Sequence, residues 1–214
     1  MGASRLIPFA IDALRSEPWR NGAGWTRTVC MQHAQSVSAQ TPTPTPAASA
    51  LPGSPADRPV LWRVSVADIT AAGEFSQFAG MDRTAVMVQG GHLQLSNADV
   101  QLDFDGVGSQ LQFPGEWSLQ CSEPEGTTQL LNIMVRRDQA SAQVQVIENA
   151  ALTLPAGGQQ LVLVLRGSYQ LRSSAGASHT LQARHGMHWQ ALDEDWHAAP
   201  LGADAVLVWC ALTR

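Results

Sequence analysis

Val86-Met-Val-Gln-Gly-Gly-His-Leu-Gln-Leu95 is answered later in the chain by Val162-Leu-Val-Leu-Arg-Gly-Ser-Tyr-Gln-Leu171. Each stretch reads as a β-prone strand, a glycine hairpin and a second, alternating strand. Each is followed by a glycine-containing turn into a tryptophan-bearing strand, at Phe113-Pro-Gly-Glu-Trp117 and at His185-Gly-Met-His-Trp189. Each half then closes on an apolar strand, Leu131 to Val135 or Val206 to Leu212. Two copies of such a unit predict an all-β chain built as a duplicated jelly-roll β-barrel. The spacing between the marker glycines differs between the halves, a drift that loop length absorbs at little entropic cost.

Outward from this pair the chain continues to punctuate as strands. Short runs such as Trp62 to Val66, Gln110 to Phe113, Val144 to Ile147 and Tyr169 to Arg172 are separated by Gly, Pro, Asn and Asp. No long stretch keeps a helical period. One short helical turn is expected at Pro8 to Leu14 or at Val66 to Ala71. The first half is taken as residues 1–140 and the second as 141–214, packed as one globular unit. Residues 34–59, with Thr41-Pro-Thr-Pro-Thr-Pro46 and three further prolines, hold too few large apolar side chains to offset the entropy of ordering them. A disordered surface excursion is expected there, between two segments, Thr26 to His33 and Val60 to Val66, that adjoin once it is removed.

Composition narrows the chemistry. The chain of 214 residues carries a net charge of −5, and its 13 cationic side chains are all arginine. With no lysine there is no Schiff-base or lysine general-base chemistry. An acidic chain without a basic cluster is a poor partner for a phosphate backbone, so nucleic acid is not expected. No apolar run approaches the length of a membrane span, and the N-terminus lacks a signal-peptide pattern, which makes a cytoplasmic location with no membrane association the expectation. The three cysteines, Cys30, Cys121 and Cys210, have no metal or redox spacing and are read as reduced thiols. There is no Gly-x-Ser-x-Gly elbow and no phosphate-binding glycine pattern.

The more defensible chemistry is binding. In Leu61-Trp-Arg-Val-Ser-Val66, strand alternation separates Trp62, Val64 and Val66 from Leu61, Arg63 and Ser65. In Leu131-Asn-Ile-Met-Val-Arg136 it separates Leu131, Ile133 and Val135 from Asn132, Met134 and Arg136. If the faces bearing arginine look inward, a guanidinium there needs a partner, and a ligand carboxylate matches its fork through charge-assisted bonds. The plainer alternative is that these arginines pair with Asp68, Asp82 or Glu74, or face water. Upstream, Glu17-Pro-Trp-Arg-Asn-Gly-Ala-Gly-Trp-Thr26 reads as a shaped loop in which Gly22 and Gly24 permit close backbone approach.

Taken together, Glu17 to Thr26, Leu61 to Asp68, Gly73-Glu-Phe-Ser-Gln-Phe-Ala-Gly-Met-Asp-Arg83 and Leu131 to Arg137 resemble, in order, the signature of the HutD/Ves family. These are small bacterial proteins of the cupin superfamily, often encoded with histidine-degradation enzymes. The resemblance implies a bicupin whose matching blocks line a pocket, and it implicates Trp19, Asn21, Thr26, Arg63, Ser65, Phe75, Ser76, Asp82, Arg83, Asn132, Met134 and Arg136 in ligand binding. It departs from the family at Leu130, where an aspartate is usual, at Ala23 in the glycine run, and in the length of the insertion. The histidine constellation of metal-binding cupins is missing: His92 stands alone, and Glu116-Trp117 follows the turn at Pro114-Gly115. The expectation is therefore a metal-free protein with no cofactor and no catalytic residue. It would bind a small carboxylate such as urocanate or formylglutamate and serve regulation or homeostasis in histidine utilisation, with a homodimer as a candidate assembly. Two alternatives are carried: an isomerase or lyase with His92 or His188 as acid-base group, and a stress-related protein whose loops meet a partner instead of a small ligand.

Overall fold

The structure, a computed structural model, describes residues 6–19, 22, 24–34 and 58–214. The alternating segments of the first half form β1 (Leu6–Ala10), β2 (Ser16–Pro18), β3 (Gly24–His33), β4 (Val60–Ile69), β5 (Gly73–Phe75), β6 (Met81–Gln89), β7 (His92–Ser96), β8 (Gln101–Asp105), β9 (Gln110–Pro114), β10 (Leu119–Cys121) and β11 (Thr128–Arg136). The second half supplies β12 (Ser141–Glu148), β13 (Leu152–Leu154), β14 (Gln159–Arg166), β15 (Ser168–Ser173), β16 (Ser178–Gln182), β17 (His185–Trp189), β18 (Trp196–Pro200) and β19 (Val206–Thr213). The helical turn sought at Pro8 to Leu14 is a 3-10 turn over Ile11–Ala13, while Val66 continues as strand to Ile69. Among the described residues no helix is long and apolar enough to cross a membrane.

Four sheets stack as layers. In the first half, β2-β3-β4-β11-β6-β9 lies against β5-β10-β7-β8; in the second, β1-β17-β14-β19-β12 lies against β13-β18-β15-β16. Ile69, Met87, Leu93, Phe104 and Leu130 fill the first sandwich, and Tyr169, Leu171, Trp189, Leu207 and Trp209 the second. The two larger sheets meet back to back through Trp62, Val64, Val66, Leu131 and Ile133 on one side and Leu161, Leu163, Val208 and Leu212 on the other. Each large aliphatic side chain buried there contributes about 1.5–3 kcal/mol, which makes this shared core the join between the halves. The duplication is visible in strand order: β4-β11-β6-β9 repeats as β12-β19-β14-β17, and β5-β10-β7-β8 as β13-β18-β15-β16.

The structure departs from the sequence reading in several places. Each expected barrel is a pair of facing sheets, with no hydrogen-bonded ladder joining the two among the described residues. Sheet membership also exchanges a strand across the expected division, since β1 pairs antiparallel with β17 of the second half, Leu6 opposite Trp189 and Ala10 opposite His185. The marker glycines do not form hairpins. They carry the chain from a large sheet to a small one, from β6 to β7 and from β14 to β15, with φ of 125° at Gly90 and 63° at Gly167. The echo is also one residue out of step before the glycine. A bulge pairs Leu130 with Met87 but Gln129 with Gln89, and its counterpart pairs Leu207 with Val164 but Val206 with Arg166. Met87 therefore matches Val164, whereas the spelling matches it to Leu163, and a slip of one residue exchanges the two faces of a strand. Trp117 lies between β9 and β10, while Trp189 ends β17. Of the excursion at 34–59, residues 35–57 lie outside the described residues. At its base Ala34 N–H donates to the Pro59 carbonyl at 3.0 Å and His33 pairs with Val60, so β3 and β4 adjoin as expected.

A polar hub crosses the join. Arg184, held at φ 69° in the turn before β17, donates through Nε and Nη2 to the carboxylate of Asp12 at 2.9 and 2.6 Å. Its Nη1 reaches Gln89 Oε1 at 3.0 Å and Gln129 Oε1 at 2.8 Å. Gln129, buried at 4% exposure, passes the contact on to Asp68 Oδ1 at 2.6 Å. Replacing Arg184 by alanine leaves the buried Gln129 oxygen without its donor, and the expected cost is about 1–3 kcal/mol in urea-induced unfolding.

Candidate functional site

The alternation that buries Trp62, Val64 and Val66 in the join turns Arg63, Ser65 and Ala67 the other way, into the first sandwich. On the neighbouring β11, Asn132 and Met134 share that inner face, with Asn132 opposite Ser65 and Met134 opposite Arg63. From the far side of β11, β6 contributes Arg83 opposite Met134. These residues floor a narrow recess of about 30 Å³. The recess opens outward into a cavity of about 640 Å³ walled by Glu17, Trp19, Glu74, Phe75, Gln77 and Phe78. Trp19 is fixed as a wall: its indole Nε1–H donates to Thr26 Oγ1 at 2.7 Å and its ring meets Phe75 edge-on at 6.2 Å. Gly24 makes this approach feasible, because a Cβ there would collide with the carbonyl oxygen of Asp68.

The electrostatic centre is Arg83, only 5% exposed. Nε and Nη2 both donate to Asn132 Oδ1, at 3.0 and 2.8 Å, and Nη1 donates to the Ser76 carbonyl at 3.1 Å. Its guanidinium carbon lies 4.1 Å from the ring centre of Phe75 and 5.5 Å from those of Phe78 and Phe113, distances at which the ring faces attract a cation. Arg63 Nη2 donates to Thr28 Oγ1 at 2.9 Å. Among the described residues, neither arginine is in ion-pair contact with a carboxylate. Burial first, then the neighbouring charge of Arg63, pushes the Arg83 pKa down to about 9, so it stays charged at neutral pH. Burial also lowers that of Arg63, against the pull of Glu17.

Of the residues the sequence singled out, Trp19, Thr26, Arg63, Ser65, Phe75, Ser76, Arg83, Asn132 and Met134 converge on this one cavity and its recess. Asp82 does not. It points away from Arg83 and pairs with Arg137 at 2.7 Å, because adjacent strand residues face opposite ways. Arg136 is also elsewhere, its Nε spent on the Val60 carbonyl at 3.0 Å at the end of the sheet. Asn21 lies outside the described residues. Of the two other internal partners considered, Asp68 is occupied by Arg27 and Gln129, and Glu74 stands on the cavity wall. Missed by the sequence reading were Glu17, Gln77 and Phe78, all within blocks already quoted, and Thr28, on the strand that continues from Thr26. Phe113 carried no local signal, since only the β6–β9 pairing sets it opposite Arg83.

The histidines lie apart. His92, on β7, sits 3.4 Å from Asp103 and 3.7 Å from Asp105, and His185 and His188 are on β17 in the second half. No histidine lines the arginine cavity, and among the described residues no three His, Cys, Asp or Glu side chains gather as metal ligands. In the second half, counting from the matched bulges puts Gln160 at the position of Arg83 and Trp209 at that of Asn132. There Trp209 Nε1 donates to Gln160 Oε1 at 2.9 Å, and Gln160 Nε2 donates to the Pro155 and Gly157 carbonyls at 2.6 and 3.0 Å. The equivalent space is filled by tryptophan, and its polar pair is neutral, with the donors met by the Gln160 oxygen and by backbone carbonyls.

Comparison with known proteins agrees with this architecture. A family model described as HutD matches residues 11–208. The protein Ves of Citrobacter koseri is 32% identical over 164 residues, covering 76% of this chain and 74% of its own length. Among solved structures, a conserved protein of unknown function from Pseudomonas aeruginosa PAO1 superposes with a TM-score of 0.77 at 19% identity, covering 99% of this chain and all of the other. HutD from Pseudomonas fluorescens SBW25 gives 0.71 at 17% identity, covering 98% and 100%. A cupin 2 conserved barrel domain protein from Leptotrichia buccalis gives 0.50 at 9% identity over 71% of this chain and 84% of its own.

The Trp19 wall depends on one hydrogen bond. Thr26→Val keeps the shape and removes the acceptor, so about 1 kcal/mol of stability is expected to be lost. The indole proton of Trp19 should then exchange faster with solvent, as read from its nitrogen-edited NMR signal.

Proposed function

The chain belongs to the HutD/Ves family of the cupin superfamily, and on that premise we propose that it is a binding protein for a small carboxylate, held in the cavity of its first half. One observation carries the reading: Arg83, buried among phenylalanines, and Arg63 share one recess, and neither is in ion-pair contact with a carboxylate among the described residues. An uncompensated charge in such surroundings is costly unless something arrives to pair with it, and a carboxylate fits the guanidinium fork. The 640 Å³ of the outer cavity lies in the range of small-ligand sites, and the faces of Trp19, Phe75 and Phe78 offer a planar or apolar ligand body its contacts. Membership of the family supports a role in regulating or buffering histidine utilisation, with urocanate and formylglutamate as the acids to try first. The acid-base alternative is less well supported, because His92 and His188 both stand away from the cavity.

Isothermal titration with urocanate and with N-formylglutamate, against the wild type and Arg63→Ala, tests the proposal. Binding by the wild type and an affinity at least about tenfold weaker in the variant are expected, the scale of one lost charge-assisted contact. No heat with either acid removes the carboxylate claim. The pH dependence has a defined sign. Below about pH 9 Arg83 is charged with or without ligand, so its contribution to affinity is flat. Above that value the free protein must take up a proton to bind the anion, and affinity is expected to fall.

A further inference from the structure

We infer that Asn132 is a positioning residue that sets the anion affinity of the cavity: it orients Arg83 as a neutral acceptor and thereby leaves the guanidinium charge available to an incoming carboxylate. This rests on the carboxylate reading of the same site, but it gives Asn132 a role different from touching the ligand. Its Oδ1 is already taken twice by Arg83, and its Nδ2 turns back to the Leu130 carbonyl at 3.2 Å. Together with the Ser76 carbonyl on Nη1, these bonds use Nε–H and one proton on each terminal nitrogen. A guanidinium has five donors, so among the described residues one proton on each terminal nitrogen is left over.

The side chain of Asn132 has the shape of an aspartate without its charge. Aspartate at 132 would keep the two acceptor contacts to Arg83 and neutralise it from within, while giving up the amide donor to the Leu130 carbonyl. The cross-strand neighbours of Asn132, Ser65 on β4 and Ala85 on β6, carry no charge, so nothing at this level of the sheet does so. In the second half the matching positions show the opposite arrangement, where Gln160 and Trp209 satisfy each other and retain no charge to offer. The asymmetry between the halves thus lies in one pair of positions: a cation with a neutral acceptor in one, two neutral groups in the other.

Asn132→Asp and Asn132→Leu in the full chain separate this role from a purely structural one. Thermal unfolding is followed without ligand, and affinity is titrated with urocanate and N-formylglutamate. With aspartate, the thermal midpoint should lie above that of the leucine variant, because the counterion gained by the buried cation offsets the lost donor to the Leu130 carbonyl, while affinity falls at least about tenfold because the ligand must displace the carboxylate. With leucine, both midpoint and affinity should fall. Aspartate that binds either acid as the wild type does, or lowers the midpoint as leucine does, overturns the inference and leaves the carboxylate reading standing. A wild type that binds neither acid overturns that reading and this inference together. Should the aspartate variant not fold, leucine decides: unchanged affinity in a folded Asn132→Leu protein overturns the positioning role.

Discussion

A buried cation that meets no carboxylate among the described residues is the constraint around which the first half is arranged. Arg83 is removed from water, and among the described residues its charge is met by carbonyl-type oxygens and by the faces of three phenylalanine rings. Those contacts satisfy donors and lend some quadrupole attraction, but they do not cancel a unit charge, and a second guanidinium beside it raises the cost further. Such an arrangement persists only where the surroundings are rigid enough to impose it. Here β4, β6 and β11 supply that rigidity, because the opposite faces of the same strands are locked into the core between the halves.

The doubling of the fold follows from the same geometry. A sheet has two faces, and in a single cupin-like sandwich the outer face of the large sheet would meet water. In this chain that outer face is as apolar as an interior, with Val64, Val66 and Leu131 fully buried only because Leu161, Leu163 and Val208 cover them. The second half therefore acts first as a partner surface. Its own interior is packed with Trp189, Trp196 and Trp209, leaving the polar cavity to the first half. Arg184 ties the arrangement at its edge, drawing Asp12, Gln89 and Gln129 together from segments that are far apart in sequence.

Much of this was legible in the sequence, for identifiable reasons. Period-two alternation separated Trp62, Val64, Val66, Leu131, Ile133 and Val135, which pack in the join, from Arg63, Ser65, Asn132 and Met134, which reach the recess, although Leu61, grouped with Arg63, packs in the join. The same rule placed Arg136 on the cavity face, yet it lies at the end of its strand, where the guanidinium reaches Val60 instead of the recess. Alternation within one strand also cannot say which strands lie opposite one another. Phe113 against Arg83, and the whole Arg184 hub, depend on pairings between distant segments. The internal echo identified the duplication, but its spelling runs one residue out of step before the turn, since Gly90-Gly91 in the first half stands against Gly167 alone in the second while the bulges themselves match.

The divergence of the two halves shows how a duplicated fold comes to hold a single site. At the same place in each large sheet a pair of side chains on neighbouring strands is hydrogen-bonded, Arg83 with Asn132 in one and Gln160 with Trp209 in the other. Trp209 brings bulk that fills the sandwich, and its single donor is matched by the Gln160 oxygen, so the second half has a dense, electrically neutral interior. Asn132 brings little bulk and an acceptor that cannot neutralise, so the first half keeps an empty space beside an unmatched charge. Packing density and charge compensation change together in one pair of positions. The cavity and the charge therefore stay together in the first half, where the pair of positions leaves both the space and the cation.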